Sequence, residues 1–145
     1  LCGNFTTNTD KRDPSKVYGL DFPTIIAPGT DKVGAVWAIS VETGKTLWKY
    51  EQRAGVFSLV STGGGLVFGG DANGRFRAFD ERSGKVLWET NLGSPVSGYP
   101  ITFAVDGKQY VSVATGPSGV ENSTLRVTPE LKPSTTGQVF VFALP

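Results

Sequence analysis

Two stretches of this chain match at a fixed offset, and that repeat restricts the available folds more than any other feature. "VETGKTLWKY" (41–50) and "ERSGKVLWET" (81–90) share the pattern Gly-Lys-x-Leu-Trp. Gly44, Lys45, Leu47 and Trp48 recur forty positions later as Gly84, Lys85, Leu87 and Trp88. The match extends upstream, where "GAVWAIS" (34–40) lies over "GRFRAFD" (74–80) and keeps the leading glycine and inner alanine. A weaker third copy, "GQVFVFA" (137–143), follows an insertion rich in Pro and Ser. Periods of about 40–50 residues belong to propellers and solenoids, whose units bury their apolar faces only against neighbouring units.

Each copy has the chemistry of strand, turn, strand. Val36, Ala38 and Ser40 alternate with Trp37, Ile39 and Val41 in the period of two expected of a half-buried strand. Gly44 and Gly84 sit where a tight turn needs a positive φ. The stretches "GLVFGG" (65–70) and "QYVSVATG" (109–116) read as buried strands closed by glycine turns. One full unit is therefore four antiparallel strands over 57–62, 66–68, 75–80 and 86–90, with a unit ending near Glu51 and another starting near Ser94. Such a series is a set of propeller blades. Trp48 and Trp88 fall on outermost strands, where an indole can bury a large face against the Ala and Gly of the adjacent copy. Both are expected to be largely buried. Two to three blades do not close a ring, so an apolar blade face is expected to stand open at each end of the stack.

Composition narrows the function. Hydrophobic residues make up 39% of the 145 and charged ones 19%, with nineteen glycines and nine prolines, which suits a turn-rich β protein rather than a disordered one. The net charge is +1 and the basic residues are interspersed with acidic ones, so no stripe exists to neutralise phosphates and nucleic acid is not an expected partner. Cys2 is the only cysteine, which excludes a disulfide within the chain, a haem-attachment CxxCH and a thiolate zinc site. Histidine is absent, and with it every triad built on an imidazole base. Apolar runs are too short to span a membrane, and no signal peptide is visible. Methionine is also absent, and the chain starts at Leu1, as expected of a processed protein or a piece of a longer one.

Ala38-x-Ser40-x-x-x-Gly44-Lys45-x-x-Trp48 and Ala78-x-Asp80-x-x-x-Gly84-Lys85-x-x-Trp88 resemble the tryptophan-docking motif of pyrroloquinoline quinone (PQQ) dehydrogenases. That motif usually carries Asp where this chain has Ser40. "STGGGLVFGGDANGRFRAFD" and "GSPVSGYPITFAVDGKQYVSVATG" are similar to the last complete blades of quinoprotein alcohol dehydrogenases, and the resemblance covers roughly 33–119 plus the final "VFVFALP". It implies an all-β fold consisting of the last two to three blades of an eight-bladed propeller. Residues 1–145 would be a C-terminal portion of about 2.5–3 blades with an insertion near 115–136.

The resemblance also implies PQQ and Ca²⁺ as cofactors, an alcohol or sugar as substrate, a separate electron acceptor and a periplasmic location. The catalytic base and the metal ligands belong to the N-terminal remainder of the propeller, so no catalytic residue and no metal ligand is assigned to this chain. Blade topology gathers the loops 52–57, 69–73, 92–97 and 114–137 on one rim. Relatives often carry Trp in the first and last of these, where this chain reads Ala54-Gly55-Val56-Phe57 and Gly116-Pro117-Ser118-Gly119-Val120. Phe57, Gly98 and Gly119 are the cofactor-binding candidates, Phe57 as a stand-in for an indole and Gly98 as a point of close backbone approach.

Competing patterns are weaker. Asp71 and Asp80 suit turn and hairpin roles better than a metal site. "GGDANG" is not followed by a helix that would make it a phosphate loop. The sequons at Asn4 and Asn122 matter only in a eukaryotic secretory setting. The rival functional class is a cofactor-free scaffold propeller of the outer-membrane assembly kind, which shares the docking tryptophans but not usually the "GYPITFAVDGKQYV" segment.

Overall fold

The computed structural model describes residues 2–3 and 24–143, and the sequon at Asn4 lies outside them. A short pairing of β1 (Cys2–Gly3) with β2 (Thr24–Ile25) precedes three antiparallel sheets. The first sheet is β3 (Gly34–Ile39) with β4 (Thr46–Gln52). The second runs in order through β5 (Val56–Ser61), β6 (Leu66–Asp71), β7 (Arg75–Asp80) and β8 (Val86–Asn91). In the third, β10 (Lys108–Thr115) lies between β9 (Ile101–Val105) and β11 (Gln138–Ala143). The expected four-stranded unit is thus present in full once, flanked by its neighbours. A short helix, α1 (Val120–Leu125), interrupts the all-β pattern inside the insertion.

The repeat is a repeat of geometry. Ala38 pairs with Trp48 and Ala78 with Trp88, and each ladder shifts register at the next residue. Gly44 (φ 66°) and Gly84 (φ 70°) close the two hairpins in the left-handed region. In each turn the glycine N–H returns to the backbone four residues earlier, to Ser40 O at 2.8 Å and Asp80 O at 2.9 Å. Asp80 Oδ1 also accepts from the Ser83 N–H and hydroxyl, both at 2.7 Å, whereas Ser40 Oγ accepts from Thr43 N–H at 3.3 Å. These Ser83 bonds hold the Asp80 carboxyl below the usual carboxylate range. Asp80 is therefore a hairpin residue, as its position suggested.

Trp48 shows how one sheet docks on the next. Its Nε1–H donates to Glu81 O at 2.8 Å. Its ring lies so close to Gly84 that a Cβ there would come within 2.4 Å of it. Tyr50 on the same strand meets Phe79 edge-on at 5.0 Å. The seam between the second and third sheets is the main core, with Phe68, Phe76, Ala78, Val96, Val111 and Val113 buried together. Phe142 reaches across it to Phe76 at 5.9 Å and Trp88 at 5.3 Å.

Two expectations need correction. Trp48 is only half-buried, and Trp88 remains 39% exposed. Trp88 meets Phe76 and Phe142 edge-on, but the described part of the third sheet offers it no glycine hairpin like the one beneath Trp48. Second, Gly69 and Gly70 do not turn the chain; they continue β6. Their missing side chains are used for packing, because a Cβ on Gly70 would overlap Val96 and one on Gly69 would overlap Leu59. The turn comes later, at Ala72–Gly74.

The open faces stand where the ring argument put them. On the first sheet Trp37, Ile39 and Leu47 are exposed. On the far side of the third sheet, Ile101, Phe103, Val105, Val139 and Val141 are exposed, and the register sets Ile101 and Val141 on either side of Ser112.

Candidate functional site at the rim of the blades

The loops expected to share one rim are tied together by backbone bonds. Ala72 N–H donates to Gly55 O at 2.8 Å and Val96 N–H to Asp71 O at 3.0 Å. Gly116 N–H donates to Pro95 O at 2.8 Å and Ser134 N–H to Gly93 O at 2.7 Å. Each bond joins loops of different strand pairs, so the rim is a continuous surface at one end of the sheets. Small residues make this possible: a Cβ on Gly74 would crowd the backbone of Gly93 and Ser94.

Beneath the rim lies a buried polar junction. Asp71, 1% exposed, accepts from the backbone N–H groups of Asn73 and Arg75 through Oδ1, and from Arg77 Nη1 (2.7 Å) and Gln52 Nε2 (3.2 Å) through Oδ2. Arg77 Nε also donates to Glu89 Oε2 at 2.5 Å. Burial works against the Arg77 charge, but the hydrogen bond and charge of Asp71 outweigh it and hold the proton more firmly than usual. Asp71 is thus the keystone of the β6–β7 turn and a link to β4. Gln52 Oε1 is the one buried side-chain polar atom among the described residues without a hydrogen-bond partner.

The three sequence-derived candidates all lie at this end of the blades. Phe57 sits in β5 where the register with β6 slips between Val56 and Leu59, a bulge of the kind that re-aims a side chain. It is half-exposed and stands outside the core cluster. Gly98 is pressed against β10: its N–H donates to Ala114 O at 3.1 Å, and a Cβ on it would come within 2.8 Å of the Ala114 methyl. Ser58 Oγ–H donates to Gly98 O at 2.8 Å, which joins the inner-strand starts of the second and third sheets and brings Phe57 and Gly98 into one neighbourhood. Gly119 has φ 86° and open space where a Cβ would point.

Sequence reasoning passed over two rim residues. Tyr99, 81% exposed, follows Gly98 and stands just before β9, an aromatic beside the Phe57 neighbourhood. Its signal was present, since a large ring between glycine and proline has little strand to pack on. Arg53 had no local signal, because Val127 and Glu130 lie more than seventy residues away and its third partner, Asp31 O, is a backbone group 22 positions upstream.

The rim presents two aromatics, the partly exposed Phe57 and the exposed Tyr99, beside the tied backbone of its loops. It does not offer a metal cage: among the described residues no group of three or more His, Cys, Asp or Glu side chains is placed to hold an ion. No helix among them is long and apolar enough to cross a membrane. A cleft of about 470 Å³ between the second and third sheets, lined by Phe68, Phe76, Trp88, Val111 and Phe142, lies towards the end opposite the rim. It carries no charged group and is part of the apolar seam.

Residues 52–111 match the sequence model described as PQQ, the glucose/ethanol/alcohol dehydrogenase β-propeller domain. The chain is 46% identical over 119 residues to a 1-butanol dehydrogenase (cytochrome c) of Thauera butanivorans, covering 81% of this chain and 17% of that protein. It is 39% identical over 90 residues to a quinoprotein ethanol dehydrogenase of Pseudomonas aeruginosa, covering 61% of this chain and 14% of the relative. Among solved structures it resembles a europium-containing methanol dehydrogenase with TM-score 0.70 and 34% identity, over 80% of this chain and 24% of the other. The chain therefore spans about one sixth of the length of these curated relatives.

Proposed function

We propose, from the premise that residues 52–111 are a PQQ-type β-propeller segment, that this chain is a C-terminal-like portion of a PQQ-dependent alcohol dehydrogenase. In this reading residues 1–145 contribute about 2.5–3 blades to an eight-bladed ring and part of the wall around the cofactor. The observation that carries it is the coincidence of the family match with the rim architecture. The matched span runs from Gln52, at the buried polar junction, through Phe57, Asp71 and Gly98 to the core of the third sheet.

When bound, PQQ supplies the redox chemistry by accepting hydride from the alcohol carbon. The metal, Ca²⁺ or a lanthanide, and the catalytic base come from the remainder of the propeller. This chain's contribution is positional. Phe57 presents an aromatic edge from the bulge, Gly98 keeps the backbone close, and Gly119 keeps the last rim loop free of bulk. Alcohols fit the names of the relatives better than sugars do. The electron acceptor is a cytochrome c or a quinone, the two acceptors named for the relatives that align with most of this chain. A periplasmic setting rests on the family resemblance alone. The scaffold reading has less support, because the curated relatives that align with most of this chain carry dehydrogenase names.

The test uses the complete protein, reconstituted with PQQ and either Ca²⁺ or a lanthanide. It should reduce an artificial dye with a primary alcohol as donor and need no nicotinamide. A folded protein that takes up no PQQ with either metal would return the case to the scaffold reading.

A further inference from the structure

The insertion between β10 and β11 is not a loose loop. It leaves the third sheet at Gly116, passes through α1, and reaches the loop that joins the first two sheets. It then returns to β11 by way of the loop after β8. At its far reach Thr124, 5% exposed, seats against Gly55, where a Cβ would come within 2.7 Å of its methyl group. Thr128, fully buried, donates its hydroxyl to Thr124 O at 3.0 Å and steadies the turn after α1. On the return, Ser94 Oγ–H donates to Ser134 O at 2.6 Å.

One side chain gathers several contacts at the far reach. Arg53 Nε donates to Glu130 Oε1 at 2.6 Å and Nη2 to Glu130 Oε2 at 3.3 Å, a bidentate pair. Nη2 also donates to Val127 O at 3.0 Å, and Nη1 donates to Asp31 O at 2.6 Å. A single guanidinium therefore binds the insertion, the loop carrying Gly55 and the segment before β3. Only the planar five-donor fork of arginine can satisfy these acceptors together.

We infer that Arg53 is a positioning residue that pins the 117–136 insertion across the rim, and that the pinned insertion is a specificity wall limiting the size of alcohol admitted. The second half rests on the proposed dehydrogenase function. The insertion contains Gly119, leaves the sheet where Gly116 O accepts from Ser97 Oγ next to Gly98, and meets Gly55 two residues before Phe57, so in the proposed enzyme its position bounds that side of the rim. Arg53 touches neither cofactor nor substrate in this scheme and acts through the insertion.

The experiment compares wild type, Arg53→Met, Arg53→Lys and Glu130→Gln in the complete PQQ-loaded protein. Arg126 is exposed within the insertion and gives trypsin a cleavage point independent of activity. Arg53→Met should raise nicking after Arg126 by about tenfold, since cleavage tracks the opened population. Arg53→Lys and Glu130→Gln, which keep part of the contact set, should fall between it and wild type. The KM ratio of a long-chain to a short-chain alcohol should fall about threefold or more in Arg53→Met, while kcat for the short alcohol changes by less than about twofold. Unchanged nicking would overturn the anchor. Raised nicking with an unchanged KM ratio would overturn the specificity wall and leave the dehydrogenase reading standing. A wild-type protein that oxidises no alcohol would overturn both the dehydrogenase reading and the wall, while nicking would still decide the anchor.

Discussion

At the residue scale, the two halves of the repeat make an internal control. Gly44 and Gly84 share a left-handed φ, but only Gly84 lies under an indole; nothing stands within 4 Å of a Cβ placed on Gly44. Gly44→Ala should then cost only the backbone strain, about 1–2 kcal/mol. Gly84→Ala should cost roughly 2 kcal/mol more, because the methyl displaces Trp48 and breaks its bond to Glu81 O. Denaturant unfolding of the complete protein with each variant measures the difference, and equal costs would mean that Trp48 contributes little to blade docking. Ser40 offers the converse change. Its hydroxyl closes the first hairpin with one 3.3 Å bond, where Asp80 closes the second with two at 2.7 Å. Ser40→Asp should therefore raise the thermal midpoint of the complete protein, and an unchanged or lower midpoint would count against this account of the hairpin.

At the scale of elements, what was legible in the sequence was whatever repeats or alternates locally. The strand cores, the glycine turns at 44 and 84 and the sharing of one rim follow from period, turn chemistry and blade topology. Gly69 and Gly70 were misread as turn residues because their reason lies in other strands, in Leu59 and Val96, which sequence does not bring alongside. The exposure of Trp88 was missed for a related reason: a repeat specifies what a residue is built to meet, not whether the partner is present. The role of Arg53 was invisible because Glu130 lies 77 positions away and inside an irregular insertion. That pair also sets a pH dependence. The Arg53 hydrogen bond holds the Glu130 carboxyl below its ordinary range. A carboxyl whose folded-state pKa is depressed stabilises the folded form above its unfolded pKa, and the contribution is lost as pH falls through the folded value. Amide exchange in 124–131, corrected for intrinsic rate, should be slow near neutral pH and speed up as pH drops below the ordinary glutamate range. Glu130→Gln should flatten that rise, and a profile identical to wild type would show that the pair does not hold the insertion.

At the scale of the whole molecule, the stack has one well-formed seam and two unfinished faces. The seam between the second and third sheets buries Phe76, Val96 and Val111 completely. The outer faces leave Trp37, Ile39 and Leu47 at one end, and Ile101, Phe103, Val105, Val139 and Val141 at the other. Contiguous apolar surface of that kind marks a site of contact with further protein. Its two-sided placement is what successive blades require, since each sheet packs on a neighbour on both faces. The edge of β11 remote from β10 is also unpaired among the described residues, and exposed strand edges template association. Residues 1–145 expressed alone should therefore be insoluble or molten, binding a hydrophobic dye and unfolding without a sharp transition. Co-expression with the rest of the propeller should give a soluble complex with a cooperative melt. Replacing Ile101, Val139 and Val141 by threonine separates the causes. If the exposed face drives aggregation, the variant should make the isolated chain more soluble and weaken its pairing with the remainder. A wild-type chain that is monomeric alone and melts sharply would mean that the seam suffices for folding, and that neither outer face needs a neighbouring blade.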